Sequence, residues 1–547
     1  MWNALSSSRY MIWLIFGVCV APVLVAIWCI PWFVTVDGPA HTYNAYILIQ
    51  LLKLNSSFVD VYAVRSYFFP NVAGHFLLMG LMSLFSGRTA DRFTMSLTFV
   101  GFASSIVWLR WQVAGRKGIE MVIPLSVVLG LNWMWSMGFY NFLLGGCLFS
   151  ITLGIWWAGR ETMRLGRAVA LAGLLVMGYL CHLVTLGLTV VALMVLALTT
   201  SRENWLRRCI WTGLSLIPLI PLIVICRGLM QQGGEAHATW TGLSKTFSPG
   251  EYIKHLLAND PIRLIKIDGL PFVESHSPWF ILLSPAVLVT AALLLLVATT
   301  ILARRKVRNY PAASGRAWVI LPLILFIGWL VGPDDFGEAH GLFLRERVLL
   351  LGLVSLVPIL VVDLKMVSAR LALVILATAA AFQIASTWDY ALSSNRWASD
   401  FVQAKPHLGT GQRVKSILVF GYDELKITGH FRGSPLFNLS DLFGVDMENI
   451  VWDNYEAISY LFPVGYRDEL TRKQASKMVN MRLIFPNSSD EAANRLAEWS
   501  KILARSHSSI DVLVVWGNDA TLNDINTQWF DPNPVFEGGK IRVFRHR

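Results

Sequence analysis

The sequence predicts a polytopic α-helical membrane protein with a soluble α/β domain at its C-terminal end. Of the 547 residues, 55% are hydrophobic and 15% are charged, which lies outside the range of soluble globular proteins. Runs of the ~20 apolar residues that a bilayer requires recur before residue 390. From Arg396 onward the chain has 18 Lys/Arg and 18 Asp/Glu, the balance of a soluble domain. We therefore divide it into a transmembrane domain, 1–390, and an extracytoplasmic α/β domain, 391–547.

About eleven transmembrane helices are expected, together with interfacial helices. Runs of spanning length lie at residues 11–33, 92–112, 119–136, 141–158, 209–226, 278–302, 317–332, 346–363 and 370–386. The apolar segment 168–200 is too long for one span and has arginine clusters at both ends, so it should cross twice. His182 would then lie at its turn, either as a ligand or as an ordinary core histidine.

Segment 70–87 decides the orientation of the chain. It is apolar but barely long enough to span. If it lies flat at the outer surface, the later arginine clusters join Arg9 in the cytoplasm, as the positive-inside rule prefers. We therefore expect an interfacial or re-entrant helix and a cytoplasmic N-terminus; the alternative is that the segment spans.

The net charge of +11 does not indicate nucleic acid as a partner. The excess of basic residues lies in short loops of the membrane domain, where it sets orientation. The six cysteines lie in or beside hydrophobic runs and lack the spacing of a zinc site. The sequence therefore supports neither a disulfide framework nor a thiolate metal centre.

Chemistry is expected first around segment 36–45, which follows the first hydrophobic run. A carboxylate at mid-bilayer costs roughly 2.5–3.5 kcal/mol, so Asp37 should lie just past the membrane exit. Pro39 suits the first turn of a helix, and the spacing of Asp37, His41 and Asn44 puts them on one face of it. The alternative is that Asp37 only caps this helix while His41 and Asn44 are solvated.

A second polar stretch, 332–347, precedes the run 346–363 and should face the same compartment. Arg345 and Arg347 present planar forks suited to phosphate oxygens. Alternatively they anchor lipid headgroups or pair with Glu346. The acids and the histidine of this stretch are candidate metal ligands or an ordinary solvated loop, namely Asp334, Asp335, Glu338 and His340.

The C-terminal domain should contain buried strands and one clear helix. Strands are predicted at 414–421 and 510–517, with shorter ones near 481–485 and 541–544. Segment 489–505 has helical periodicity, and Gly538-Gly539 indicates a hairpin. This domain contains no phosphate-binding glycine loop. The domain should cover an active site, recognise an acceptor, or serve a structural role.

Several motifs, in this order, resemble the GT-C superfamily of polytopic glycosyltransferases, which includes protein O-mannosyltransferases and lipid A aminoarabinose transferases. The first is Asp37-Gly38-Pro39-Ala40-His41 after the first span. The second runs from Phe69-Pro70-Asn71 to Phe85-Ser86-Gly87-Arg88 and Ala90-Asp91-Arg92. The third is Arg345-Glu346-Arg347-Val348-Leu349-Leu350 with the later Val357-Pro358.

This resemblance implies transfer of a sugar from a polyprenyl-phosphate donor to a lipid, glycan or protein acceptor. Asp37 would be the general base, and the lipid phosphate would leave toward Arg345 and Arg347 with inversion at the sugar. His41, Asn44 and His75 would line the sugar-phosphate site. The location implied is a bacterial inner membrane, among membrane lipids, with the C-terminal domain in the periplasm.

The sequence departs from the family at one position. Many members have a second acid on the outer turn between the third and fourth spans, where this chain has Asn141. Glu338 and Asp335 are the candidates for that group, and a divalent cation is a candidate cofactor with unknown ligands. Two other functions are considered, a transporter or flippase of a lipid-linked or amphipathic solute and an envelope assembly scaffold. A transporter is disfavoured because the sequence shows no internal repeat.

Overall fold

A computed structural model describes residues 9–116, 118–201, 203–231, 238–240, 260–264, 285–306, 312–337, 341–360, 364–419, 431–481, 483–484 and 489–547. Most of these residues are helical, and a mixed sheet lies near the C-terminus. The predicted fold class, a polytopic helical membrane protein with a C-terminal α/β domain, is confirmed. Glu338 and His340 lie outside the described residues.

Five helical stretches in the described ranges are long and apolar enough to cross a membrane, as judged from length and composition. They are Tyr10–Cys29, Gly87–Ala114, Ile119–Met137, Tyr140–Gly159 and Val367–His407. A sixth crossing arises if the pair Trp205–Leu216 and Leu219–Met230, bent by 45°, acts as one span. The count of eleven spans stays a prediction.

Shorter helices complete the membrane domain. Ala73–Met82 has ten residues and covers about 15 Å, half of the ~30 Å hydrocarbon core. It is therefore too short to span alone, and the interfacial placement of this segment stays a prediction. The segment predicted to cross twice forms two helices that meet at His182, Leu165–Cys181 and Leu183–Thr199, and the crossing itself stays a prediction. The other helices of this domain are Gly38–Leu52, Ser56–Val59, Val122–Gly130, Trp133–Met137, Pro285–Lys306, Ala312–Val331 and Leu344–Leu356.

The last membrane helix continues into the soluble domain. Val367–Ala404 is one helix of 38 residues, about 57 Å long. Its sequence contains neither glycine nor proline, so no residue forces a break where the apolar part ends. The helix therefore passes through residue 390, where the composition divides the chain.

The C-terminal domain is built on a mixed sheet. Its strands are β2 (Arg413–Val419), β3 (Ile450–Val451), β5 (Leu483–Ile484), β6 (Val512–Trp516), β7 (Phe536–Gly538) and β8 (Ile541–Arg545). Strand β2 pairs in parallel with β3, β5 and β6, and β8 pairs antiparallel with β6 and β7. The strands predicted at 510–517 and 541–544 and the Gly538-Gly539 hairpin are confirmed. The described parts of the other two predicted strands are also confirmed, and their residues 420, 421, 482 and 485 lie outside the described residues. Helices of this domain are Tyr455–Ile458, Glu469–Asn480, Ser489–Ser506 and Ala520–Asn526.

The two domains share a core. Strand β1 (Tyr62–Val64) of the N-terminal half pairs antiparallel with β4 (Val464–Tyr466). The hydroxyl of Tyr43 donates to the carbonyl of Asn449 at 2.9 Å and accepts from the amide of Val451 at 3.0 Å. Segment 34–62 thus packs into the core of the C-terminal domain, and that domain is held directly over the Asp37 region.

Candidate functional site

A cavity of about 720 Å³ lies between the membrane helices and the C-terminal domain. Its polar wall includes Asp37, His41, Asn141, His182, Arg347, Asn438 and Arg472. Aromatic side chains complete it, among them Phe69, Phe139, Phe142 and Tyr455. This volume is in the range of small-molecule sites, about 300–1,000 Å³, and the mixed lining suits a ligand with both polar and apolar parts.

Asp37 precedes helix Gly38–Leu52, as predicted, but its side chain makes no capping hydrogen bond. Instead Asn438 Nδ2 donates to Asp37 Oδ1 at 2.8 Å and to the carbonyl of Val36 at 3.0 Å. The backbone amide of Asp37 donates to the carbonyl of Met137 at 2.8 Å. Asp37 is therefore held at the cavity wall by both domains, through its carboxylate to Asn438 and through its backbone amide to Met137.

The glycine after Asp37 is required by close packing. A Cβ atom at Gly38 would lie 2.5 Å from Thr35 Oγ1 and 2.9 Å from the hydroxyl of Tyr140. That hydroxyl donates to Asp91 Oδ1 at 2.6 Å. A second carboxylate, from the Ala90-Asp91-Arg92 motif, thus lies behind the turn that carries Asp37.

Three buried side chains meet beside this turn. His41 Nδ1 lies 2.5 Å from Glu456 Oε1, and His75 Nε2 lies 2.9 Å from Glu456 Oε2. Burial alone raises the pKa of Glu456, but the two histidines lower it to about 2, so the carboxylate is ionised at neutral pH. Burial alone lowers the pKa of His41, but Glu456 raises it above its ordinary value.

The two predicted phosphate-binding arginines occupy different places. Arg347 lines the cavity and lies over the rings of Phe139 and Phe142, at 5.3 and 5.4 Å from their centroids. Arg345 does not line it: its Nε donates to the carbonyl of Gly332 at 3.0 Å and contacts Asp334 Oδ1 at 3.1 Å. Arg345 thus holds the loop before its own helix. Glu346, the alternative partner, attracts Arg347 and also lies 3.6 Å from Arg432 of the C-terminal domain.

Asn44 points to the domain junction. It exchanges two hydrogen bonds with Asn454, at 2.9 and 3.0 Å, and is not among the cavity-lining residues. Asn141 does line the cavity: its Oδ1 accepts from the amide of Gly74 at 2.5 Å and its Nδ2 donates to the carbonyl of Asn71 at 2.9 Å. Asp335 accepts from the amide of Gly337 at 2.9 Å and lies away from that wall. The roles predicted for these residues stay predictions.

Two groups at this site, Asn438 and Glu456, were not predicted from the sequence. Asn438 is 401 positions from Asp37, and Glu456 is 381 positions from His75. Each lies in a short segment of a polar domain, where a glutamate or an asparagine is ordinarily solvated. The one local signal is Asn454, which caps helix Tyr455–Ile458 and so fixes the position of Glu456.

The fold and the cavity define a polytopic membrane protein whose C-terminal α/β domain completes a polar site beside the first membrane helix. The crystal structure of ArnT from Cupriavidus metallidurans in the apo state is similar to it over 98% of both chains, with a TM-score of 0.41 and 13% sequence identity. No protein-family model and no curated protein sequence matches the chain. The structural likeness concerns the overall arrangement of the chain alone.

Proposed function

We propose that this protein is a membrane glycosyltransferase that uses a polyprenyl-phosphate-linked sugar. The observation that carries the proposal is the placement of Asp37 and Arg347 in the wall of one cavity. A carboxylate can accept the proton of an attacking hydroxyl or amine, and a guanidinium can stabilise a leaving phosphate. The order of the sequence motifs, which resembles the GT-C superfamily, supports the same function.

In the proposed reaction an acceptor hydroxyl or amine attacks the anomeric carbon of the sugar and loses its proton to Asp37. The bond between that carbon and the phosphate oxygen breaks, and its electron pair stays on the polyprenyl phosphate. Displacement in line inverts the configuration at the sugar. Asn438 orients the Asp37 carboxylate, and Arg347 stabilises the charge that develops on the phosphate.

The direct test is transfer by purified protein in lipid vesicles. A panel of polyprenyl-phosphate sugars is supplied with envelope lipids, glycans and proteins as acceptors, and both the labelled product and the released polyprenyl phosphate are measured. Stoichiometric product and release are expected for one donor. Movement of a lipid-linked donor across the vesicle without its cleavage would contradict the proposal and favour a transporter.

Arg347→Gln should reduce transfer by about 10²–10³-fold, the usual cost of losing one group that stabilises transition-state charge. Arg347→Lys should restore part of the rate, because lysine keeps the positive charge. The recovery should be partial, because lysine lacks the planar fork. The comparison variant is Arg345→Gln, which removes a buried arginine two positions away. It should lower the thermal midpoint without selectively raising the donor KM. A selective rise of the donor KM in Arg345→Gln, with transfer by Arg347→Gln unchanged, would instead assign phosphate binding to Arg345.

Asn438→Ala should lower kcat by up to about 10²-fold, because a misplaced catalytic group loses its near-attack geometry. Donor KM should change little, since Asn438 is assigned to the base and not to the donor. The control is Asn523→Ala on the surface of the same domain, whose amide donates to Asn518. Equal kcat values for the two variants would remove Asn438 from the mechanism.

A further inference from the structure

His41, His75 and Glu456 come from three separate elements and converge on one point. They lie on helices Gly38–Leu52, Ala73–Met82 and Tyr455–Ile458. One ligand atom of each lies within 4.8 Å of the other two, and all three residues are buried. Of the residues that the structure describes, this is the group of three whose donor atoms could hold a metal ion.

Hydrogen bonding does not fully account for this arrangement. His75 Nε2 makes a hydrogen bond to Glu456 Oε2. The contact of 2.5 Å between His41 Nδ1 and Glu456 Oε1 lacks hydrogen-bond alignment, and neither atom has another hydrogen-bond partner in the described ranges. A metal ion that binds both of these buried atoms would satisfy them.

The donor types indicate which group that is. Two imidazole nitrogens and one carboxylate form the set that binds zinc in His₂Glu sites and leaves one coordination position open. His41 also lines the cavity, so this cluster adjoins the cavity that contains Asp37.

We infer that His41, His75 and Glu456 form a binding site for a divalent transition-metal ion, with zinc the best match to the donors. The ion would link the C-terminal domain to helices Gly38–Leu52 and Ala73–Met82 of the N-terminal half. The predicted metal candidates of the 332–347 loop are placed differently, since Asp334 contacts Arg345 and Asp335 accepts a turn amide. This inference is independent of the proposed transfer reaction, because its readouts are metal content and stability.

The test uses full-length protein in detergent, stripped with a chelator and then supplied with ZnCl₂ or CoCl₂ alone. Wild type should take up one zinc ion per chain and gain thermal stability, and cobalt should give the visible spectrum of a tetrahedral site. Glu456→Gln should weaken zinc binding by more than the roughly 10–100-fold typical of outer-shell changes. The control, His407→Asn in the same domain, should bind like wild type.

Equal zinc uptake by Glu456→Gln and wild type would overturn the inference. If that variant does not accumulate, His75→Gln serves as the second variant with the same expectation. If neither variant folds, the test uses wild type alone. The inference would then be overturned if adding zinc to the stripped wild-type protein did not raise its thermal midpoint.

Discussion

Asp37→Asn should abolish measurable sugar transfer while the protein accumulates and unfolds as wild type does. Removing a general base typically costs about 10²–10⁴-fold in rate, and the amide has no basic electron pair to accept the acceptor's proton. The substitution preserves the shape of the side chain. In the wild-type protein Asn438 Nδ2 donates a hydrogen bond to Asp37 Oδ1 at 2.8 Å, and an asparagine oxygen at this position can still accept it. The loss should therefore appear in kcat and not in folding. Product formation and polyprenyl phosphate release are the measurements.

A matched control is available in Asp91, the carboxylate behind the same turn. Asp91→Asn should retain transfer within about 10-fold, because this side chain accepts from Tyr140 and does not line the cavity. Asp37→Glu should recover part of the rate if position limits it. Unchanged transfer by Asp37→Asn, or a greater loss in Asp91→Asn, would assign the base elsewhere.

Asp453→Ala should destabilise the protein by about 3–5 kcal/mol, the usual cost of leaving one buried charge of a pair uncompensated. Asp453 Oδ1 lies 2.5 Å from Lys415 Nζ, with 1% and 0% of the two side chains exposed. Its Oδ2 accepts from the amide of Ser416 at 2.8 Å, so a backbone partner is lost as well. Because this pair lies in the sheet core, the C-terminal domain should unfold first. Limited proteolysis and thermal unfolding of the full-length protein measure the effect.

The control for this prediction is the exposed pair Arg467–Asp60, separated by 3.5 Å. Asp60→Ala should cost no more than about 1 kcal/mol, since exposed ion pairs are screened by water and salt. The double change Lys415→Met with Asp453→Leu should recover most of the stability, because apolar side chains replace both charges. Equal stability of Asp453→Ala and Asp60→Ala would show that burial does not govern the pair.

Local patterns predicted most of the fold. The runs 414–421 and 510–517 predict strands because they are short and apolar with β-branched residues, and β2 and β6 lie there. The helix at 489–505 follows from its periodicity and start signal. The sequence did not predict that Val367–Ala404 is one continuous helix. Hydropathy indicates where the chain leaves the apolar bilayer, but it does not indicate where the helix ends.

The sequence by itself determined the membrane class, the helix that begins after Asp37 and the candidates Asp37, His41 and Arg347. The membrane class depends on composition and long apolar runs. The other features depend on residues close together in the sequence, whose spacing backbone periodicity converts directly into position. Tertiary structure alone decided that Arg345 holds a loop while Arg347 lines the cavity, and that Asn438 and Glu456 complete the site. The contacts of Asn438 and Glu456 join segments hundreds of positions apart. Packing of the two domains brings them together, and no local pattern specifies such a contact.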